Sequence, residues 1–203
     1  MNAMNLLADS GFVMIPLFIF CVIMWTIVFE RIWYLLKFKS AYYNLDLKAQ
    51  ELIAKNNELS ELRGYCSNIP DILRAPYKVL LDSQEKNFPD LEERLERRLQ
   101  EVHLNLKKYL WILASIASTA PFIGLFGTVI GIIHCFEDIS KSGKGGFSVV
   151  AAGLSEALIA TAAGIIIAVI AVLFFNFFLN WVNSLSSDFK NRFIDFAAYF
   201  KKD

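Results

Sequence analysis

Long stretches of this 203-residue chain lack charged side chains altogether. Residues 11–29, 109–136 and 157–187 contain no Asp, Glu, Lys or Arg. Each stretch is close to or above the roughly 20 apolar residues that a helix needs to cross the hydrocarbon core of a bilayer. Apolar residues make up 56% of the sequence, which is high for a soluble domain. We therefore predict an all-α membrane protein with three transmembrane helices.

The sequence is also poor in the residues that metal sites and disulfide frameworks need. Cys21, Cys66 and Cys135 are scattered, odd in number and without C-x-x-C spacing, so we predict neither a disulfide nor a zinc site. The formal net charge is zero, which gives no electrostatic reason to expect a nucleic-acid partner. The run 141–146 lacks the G-x-x-x-x-G-K-[ST] pattern of a phosphate loop. No nucleophile–base pair stands out, so we predict no enzyme, no catalytic residue and no cofactor.

The first uncharged run has neither a basic start nor a small-residue cleavage site, so we do not expect it to be a cleaved signal peptide. We interpret it as a retained transmembrane helix. Lys and Arg, which favour the inner side of a membrane, number 13 in residues 37–108 and are absent from residues 1–10. The 137–146 loop has only Lys141 and Lys144. These counts predict a periplasmic N-terminus and short loop, with the large loop and the tail in the cytoplasm.

The predicted organisation places membrane helices at the two ends of a large polar loop. The segments are transmembrane helix 1 (11–36), a cytoplasmic helical loop (37–108), transmembrane helix 2 (109–136), a short periplasmic loop (137–146), transmembrane helix 3 (147–183) and a cytoplasmic tail (184–203).

The second and third membrane helices are predicted to be long and to extend into the cytoplasm. Asp90 with Glu93 has the pattern of a helix N-cap, and no breaker separates this start from the second span. We therefore expect one continuous helix from about residue 90 to about residue 136. The tail from Asp188 onward is expected to form a separate amphipathic helix that lies on the membrane or packs on a neighbouring subunit.

Glu156 is the one ionisable side chain between Phe147 and Ser187. A carboxylate at bilayer depth is costly unless it is neutralised, paired or hydrated, so it marks a candidate functional site. The alternative is a structural role, in which Glu156 hydrogen-bonds between helices.

Small residues form one stripe on each of the last two spans. On the second span the stripe comprises Ala117, Pro121, Gly124, Thr128 and Gly131, and on the third it includes Gly153, Ala157, Ala160 and Gly164. Such stripes allow close helix packing, and they also leave room for water in a pore. Pro121 is expected to kink or loosen its helix.

Thr128, Glu156 and Thr161 lie near the middle of the membrane when depth is counted at 1.5 Å per residue. Three helices cannot enclose a pore, so a pore lined by these residues requires several copies of the chain. The single membrane carboxylate has no cationic partner in the spans. A second protein is therefore expected to supply another titratable group.

Two stretches carry a family resemblance: APFIGLFGTVIG at 120–131 and GLSEALIATAAG at 153–164. They closely resemble the two signature stretches of the ExbB/TolQ/MotA proton-channel family, and of its ExbB/TolQ branch in particular. The family's pore threonines correspond to Thr128 and Thr161, and its intramembrane glutamate corresponds to Glu156. The remaining motif residues are assigned to helix kinking and packing: Pro121, Gly124, Gly127, Gly131, Gly153 and Gly164.

The resemblance implies a homopentamer in the bacterial inner membrane whose second and third spans line a central pore. It also implies a dimer of a single-span ExbD- or TolR-like partner inside the pore, which brings a protonatable Asp. Proton flow would move this partner and, through a TonB- or TolA-like protein, do work on the cell envelope.

Three functions remain open at this point. The first is an ExbB-like motor subunit that energises TonB-dependent transport. The second is a TolQ-like subunit of the Tol-Pal system or a gliding motor. The third is a non-conducting membrane scaffold, whose small-residue faces serve only assembly.

Overall fold

A computed structural model describes residues 13–54, 64, 66, 69–85, 90–142 and 147–200. The start of the first predicted span at residue 11 and loop residues 143–146 lie outside this described part. Within it the chain is all-helical, and its helices are α1 (Met14–Ala54), α2 (Asp71–Glu85), α3 (Leu91–Leu106), α4 (Leu110–Ser142) and α5 (Phe147–Phe200).

Three helices are long and apolar enough to cross a membrane. The candidate spans are Met14–Glu51 in α1, Leu110–Glu137 in α4 and Gly153–Ala198 in α5. The prediction of an all-α protein with three membrane-crossing helices is thus confirmed. Both α1 and α5 continue well beyond the roughly 20 residues that a bilayer requires. Helix α4 is unbroken through Pro121 and includes residues 137–142, which were expected to be loop.

The prediction of one continuous helix from about residue 90 to about residue 136 is wrong. Helix α3 ends at Leu106 and α4 begins at Leu110. Between them Tyr109 adopts the left-handed conformation with φ 68°, which interrupts the i to i−4 pattern of backbone hydrogen bonds. The sequence carries no Gly or Pro at residues 107–109, so the residue types at the break do not predict it.

Two smaller expectations about helix ends are also wrong. Asp90 precedes α3 as predicted, but its side chain makes no capping hydrogen bond, and its backbone angles are φ −117° and ψ 39°. The tail does not form a separate helix, because α5 runs without interruption to Phe200. No Gly or Pro occurs in α5 after Gly164, so nothing local ends the helix at the membrane surface.

The helices contribute to two compact units. The first contains Met1–Phe29 and Tyr109–Phe177, and the second contains Glu30–Lys108 and Phe178–Asp203. In the first unit α1 packs on α5 through an edge-to-face contact of Trp25 with Phe174, with ring centroids 5.7 Å apart.

The second unit has an aromatic core that the tail of α5 completes. Tyr77 of α2 meets Phe193 edge to face at 5.0 Å, and Phe38 of α1 meets Phe189 at 5.9 Å. The side chains of Phe189, Phe193 and Phe196 are buried. The apolar face of the tail is therefore covered by its own chain, and the expected docking of these residues on a membrane or a neighbour is wrong.

Candidate functional site

Helices α4 and α5 touch backbone to backbone where the two motif stretches meet. A Cβ on Gly124 would lie 2.9 Å from the carbonyl oxygen of Ala160 and 2.9 Å from Cα of Thr161. A Cβ on Gly164 would lie 2.6 Å from the carbonyl oxygen of Ala120. Real Cβ atoms do not approach backbone atoms this closely, so only glycine fits. This is the small-residue packing expected of helices that associate in lipid.

The other motif glycines extend the same contact line, which we call the α4–α5 seam. A Cβ on Gly131 would lie 2.6 Å from Cβ of Ala157, and one on Gly153 would lie 3.2 Å from Sγ of Cys135. The Cys135 thiol also lies 3.9 Å from the carbonyl oxygen of Val150. The order of these contacts makes the two helices antiparallel. The glycines that the sequence assigned to packing therefore do lie at close contacts between helices.

The two threonines of the motifs make different hydrogen bonds. The Thr161 hydroxyl donates across the seam to the carbonyl oxygen of Gly124 at 2.8 Å. The Thr128 hydroxyl donates within its own helix to the carbonyl oxygen of Leu125 at 2.7 Å. Both side chains are half-buried. Since each hydroxyl has one hydrogen and two lone pairs, each has already used its donor and retains capacity to accept.

Both threonines lie on the same side of the seam. At 3.6 residues per turn, Thr128 is displaced by about 50° around α4 from the mean direction of its seam residues, and Thr161 by about 70° around α5. Because the helices are antiparallel, these displacements point to the same side. Gly127 is displaced the other way, and a Cβ on it would lie 3.0 Å from Cγ1 of Val13. The hydroxyls thus occupy the side of the seam away from Val13.

Glu156 is the third residue that the sequence singled out. Its backbone belongs to α5, and its side chain lies outside the described residues. The structure therefore brings together Thr161 and Gly124, and places Thr128 on the same side of the seam as Thr161.

The seam lies in helices that the chain itself covers poorly. Only 22% of the most apolar window of α4 is buried within the chain, and exposed side chains include Phe122 at 71% and Phe126 at 55%. An apolar surface of this extent requires lipid or further protein around it. A group that contacts the two threonines must therefore come from the lipid or protein that surrounds α4 and α5.

Sequence reasoning missed two buried charged residues in the second unit. Arg31 is 2% exposed and Asp46 is 8% exposed. The Asp46 carboxylate accepts a hydrogen bond of 2.6 Å from Arg192, which also donates to Asp188 at 3.2 Å. Asp46 and Arg192 are 146 residues apart in sequence, so no local pattern could have paired them.

Burial also shifts titratable groups of the second unit. Burial raises the pKa of the Cys66 thiol to about 11, although the nearby Arg74 charge acts in the opposite direction. Burial likewise raises the pKa of Tyr77 far above its usual range. The pKa of His103 is lowered, first by burial and then by the charge of Lys107. These groups are protonated or neutral near pH 7 and pack as core or surface residues.

Within the part of the chain that the structure describes, no group of three or more His, Cys, Asp or Glu side chains is arranged to hold a metal ion. A groove along α3 is lined by Asp90, Glu93, Arg94, Arg97, Arg98 and Glu101, together with Val79. Three acidic and three basic side chains line it, and they pair along the helix, as Arg98 does with Glu101 at 2.8 Å. The charges that line this groove sum to zero, so they do not favour an anionic or a cationic ligand.

Residues 67–191 match the family model described as the MotA/TolQ/ExbB proton channel family. That match covers more than half of the chain. The chain belongs to the MotA/TolQ/ExbB proton channel family. The matched range contains the whole α4–α5 seam, with Thr128, Glu156 and Thr161. It excludes α1.

Relatives within this family carry both ExbB and TolQ names. The chain is 34% identical over 174 residues to the biopolymer transport protein ExbB of Pseudomonas putida, an alignment that covers 82% of this chain and 52% of the relative. It is 51% identical over 76 residues to ExbB of Neisseria gonorrhoeae, covering 37% of this chain and 34% of the relative. It thus spans about half or less of these two ExbB proteins.

The Tol-Pal system protein TolQ of Haemophilus influenzae aligns over a longer range. It is 32% identical over 194 residues, covering 90% of this chain and 84% of the relative. This alignment extends the family relationship to helix α1.

Proposed function

We propose that this chain is the channel subunit of an inner-membrane motor that uses the proton motive force to energise TonB-dependent transport across the outer membrane. Membership of the proton channel family and the ExbB names of several relatives support this function. The observation that carries it is the seam, where the two motif stretches pack together and present Thr128 and Thr161 on one side.

The hydroxyls define what kind of group the site accepts. Thr128 and Thr161 both donate to backbone carbonyls, so their remaining capacity is to accept hydrogen bonds. A protonated carboxyl group or a water molecule can donate to them, whereas an ionised carboxylate cannot. The site therefore favours the protonated form of a carboxyl group carried by an ExbD-like partner. Loss of that proton weakens the contact and releases the partner, which links proton transfer to movement.

The proposed assembly follows from the same helices. A single chain does not enclose a pore, so we propose a homopentamer around a dimer of a single-span partner protein. The Lys and Arg distribution supports a periplasmic N-terminus with the 37–108 segment and the tail in the cytoplasm. Glu156 is proposed to set the field in the pore or to hold neighbouring subunits in register.

A TolQ-like role in the Tol-Pal system is the second candidate. One observation favours it: the TolQ alignment covers 84% of that relative, whereas the alignment with Pseudomonas putida ExbB covers 52% of that protein. Both candidates use the same seam and the same proton step. They differ in the partner proteins that the motor drives.

The test is uptake of a labelled TonB-dependent substrate by cells whose own channel subunit is deleted and replaced by variants of this chain. Thr161→Val keeps the shape of the side chain and removes the hydroxyl, so uptake should fall by on the order of tenfold or more. Thr128→Ala and Glu156→Gln should also lower uptake. Thr161→Ser is the matched control, because it keeps the hydroxyl and should retain most activity.

Membrane abundance of each variant must equal that of the parent chain. Full uptake in Thr128→Ala, Thr161→Val and Glu156→Gln would overturn the proton-channel function and leave the scaffold as the explanation. If the unmodified chain does not restore uptake but does rescue a TolQ deletion, the chain acts in the Tol-Pal system. The proposed proton step at the seam would then be the same.

A further inference from the structure

In the second unit, α1 and α5 pack against each other through a repeated set of aromatic rings. Phe189, Phe193 and Phe196 of α5 are buried and follow one another at about one helical turn. Phe189 meets Phe38 and Tyr42 of α1 at centroid distances of 5.9 and 6.1 Å. If α5 slid by one turn, Phe193 would take the place of Phe189, and rings would still meet rings. The apolar contact alone therefore does not fix the register, meaning which turn of α5 lies beside which turn of α1.

A polar cluster lies within this contact, and we call it the α1–α5 cluster. It comprises Tyr42 and Asp46 of α1 and Asp188 and Arg192 of α5, all within the second unit. Arg192 donates from Nη1 to Asp46 at 2.6 Å and from Nε to Asp188 at 3.2 Å. The Tyr42 hydroxyl donates to the Asp188 carboxylate. Each helix thus donates a hydrogen bond to a carboxylate of the other.

The Asp46 carboxylate tolerates only one register of α5. Its side chain is buried, with the residue 8% exposed, and Arg192 is the one cation that the described part of the chain brings into an ion pair with it. A slide of one turn would move Arg192 by about 5.4 Å and bring Phe196 to its place. Asp46 would then be a buried charge without a cation, which is strongly unfavourable.

The cluster is not needed for stability on physical grounds. Desolvation of a buried ion pair can outweigh the attraction between its charges, and apolar residues of similar size often pack as stably. A polar group within an apolar helix contact can instead specify register, at a cost in stability.

We propose that the α1–α5 cluster sets the register of α5 against α1, with Arg192 as its positioning residue. With apolar side chains in place of the cluster, the two helices would pack at least as stably and would occupy more than one register. This inference does not rest on the proposed function, because it concerns packing within the second unit.

The first measurement is unfolding of the full-length chain by a denaturing detergent in mixed micelles. Arg192→Met alone leaves Asp46 buried without its cation, so the unfolding midpoint should fall below that of the parent. Adding Asp46→Leu and Tyr42→Phe makes the contact apolar, and this triple variant should unfold at the parent midpoint or above it. Asp188 is kept, because its side chain is 44% exposed and can be hydrated.

The second measurement is a pair of spin-label distances in bilayers, with the native cysteines replaced by alanine. Both hydrogen bonds between α1 and α5 in the cluster join residues 146 apart in sequence, so Asn44 lies level with residue 190. One label pair joins Asn44→Cys to Ser187→Cys, before this level, and the other joins Asn44→Cys to Ile194→Cys, beyond it. All three positions are exposed. Dilution with unlabelled chain restricts the measurement to pairs within one chain.

Each label pair should give one distance in the parent chain. In the triple variant a further population should appear in both pairs, longer in one pair and shorter in the other. The reason is that a slide moves both α5 labels by about 5.4 Å in the same direction. Arg98→Met with Glu101→Leu is the matched control, because it removes an exposed ion pair of the same unit and should leave both distances unchanged.

Parent distances in the triple variant would overturn the proposal, because the rings alone would then fix the register. Longer distances in both pairs would also overturn it, since they report helices that separate without sliding. So would a triple variant that unfolds below the parent midpoint, because the cluster would then serve stability. Uptake by the threonine variants tests the proposed function separately.

Discussion

The roles of Thr128 and Thr161 depend on the hydrogen bond that each hydroxyl already donates. The Thr161 hydroxyl donates its hydrogen to the Gly124 carbonyl oxygen across the seam. It therefore links α4 to α5, and the lone pairs of its oxygen can still accept a hydrogen bond. The Thr128 hydroxyl donates its hydrogen to the Leu125 carbonyl oxygen within α4. A polar side chain that is satisfied in this way is stable in the membrane without a charge. This explains how the site can be polar and still reside in apolar helices.

Cys66 provides a prediction at the same scale, because its thiol is buried and its pKa is raised to about 11. Only the thiolate reacts with maleimides. In a variant with Cys21 and Cys135 replaced by alanine, labelling at pH 8 should be slower than that of an exposed thiol by about 100-fold or more. Mass spectrometry of timed samples would measure the rate.

The control carries Gln100→Cys in place of Cys66, because position 100 is exposed on α3. Denaturant should bring both thiols to the same rate. Rapid labelling of Cys66 in the folded protein would show that the core around Tyr77 and Cys66 is open in solution.

At the scale of elements, the seam is a contact between backbones, and its glycines are its most restrictive feature. Gly124→Ala would place a methyl group 2.9 Å from Cα of Thr161, so the helices must separate. We expect the free energy of unfolding to fall by about 1–3 kcal/mol. Titration with a denaturing detergent in mixed micelles would measure this change.

Gly64→Ala is the matched control for the seam variant. Among the described residues, none has an atom within 4 Å of a Cβ at Gly64, so this change should be neutral or stabilising by up to about 1 kcal/mol. Equal effects of the two substitutions would mean that α4 and α5 do not pack at Gly124. A loss confined to Gly124→Ala would tie stability to the seam.

At the scale of the whole molecule, the exposed apolar surface of the membrane helices must be covered by lipid, further copies or partners. We predict that native mass spectrometry of the complex, extracted gently from its own membranes, finds five copies of this chain with two of a small single-span protein. Sequencing that partner would distinguish an ExbD-like from a TolR-like protein. A homo-oligomer without a partner, persisting in several mild detergents, would favour the scaffold.

Much of the architecture was accessible from the sequence because hydropathy is a local property. The three uncharged runs located the membrane helices, since a span needs only enough consecutive apolar residues. The motif stretches 120–131 and 153–164 identified the family, and their small-residue spacing indicated helices in close contact. The prediction that Thr128 and Thr161 lie near mid-membrane rests only on counting residues along a helix.

The tertiary structure alone decided where helices end and which groups meet. The sequence from 90 to 136 favours one helix, yet α3 ends at Leu106, whose carbonyl oxygen accepts a hydrogen bond from Arg31, 75 residues away. The tail continues α5 because its phenylalanines are covered by α1 and α2 in the second unit. The partner of the Thr161 hydroxyl lies 37 residues away. Local propensity describes neighbours along the chain, whereas these outcomes depend on contacts between residues that only folding brings together.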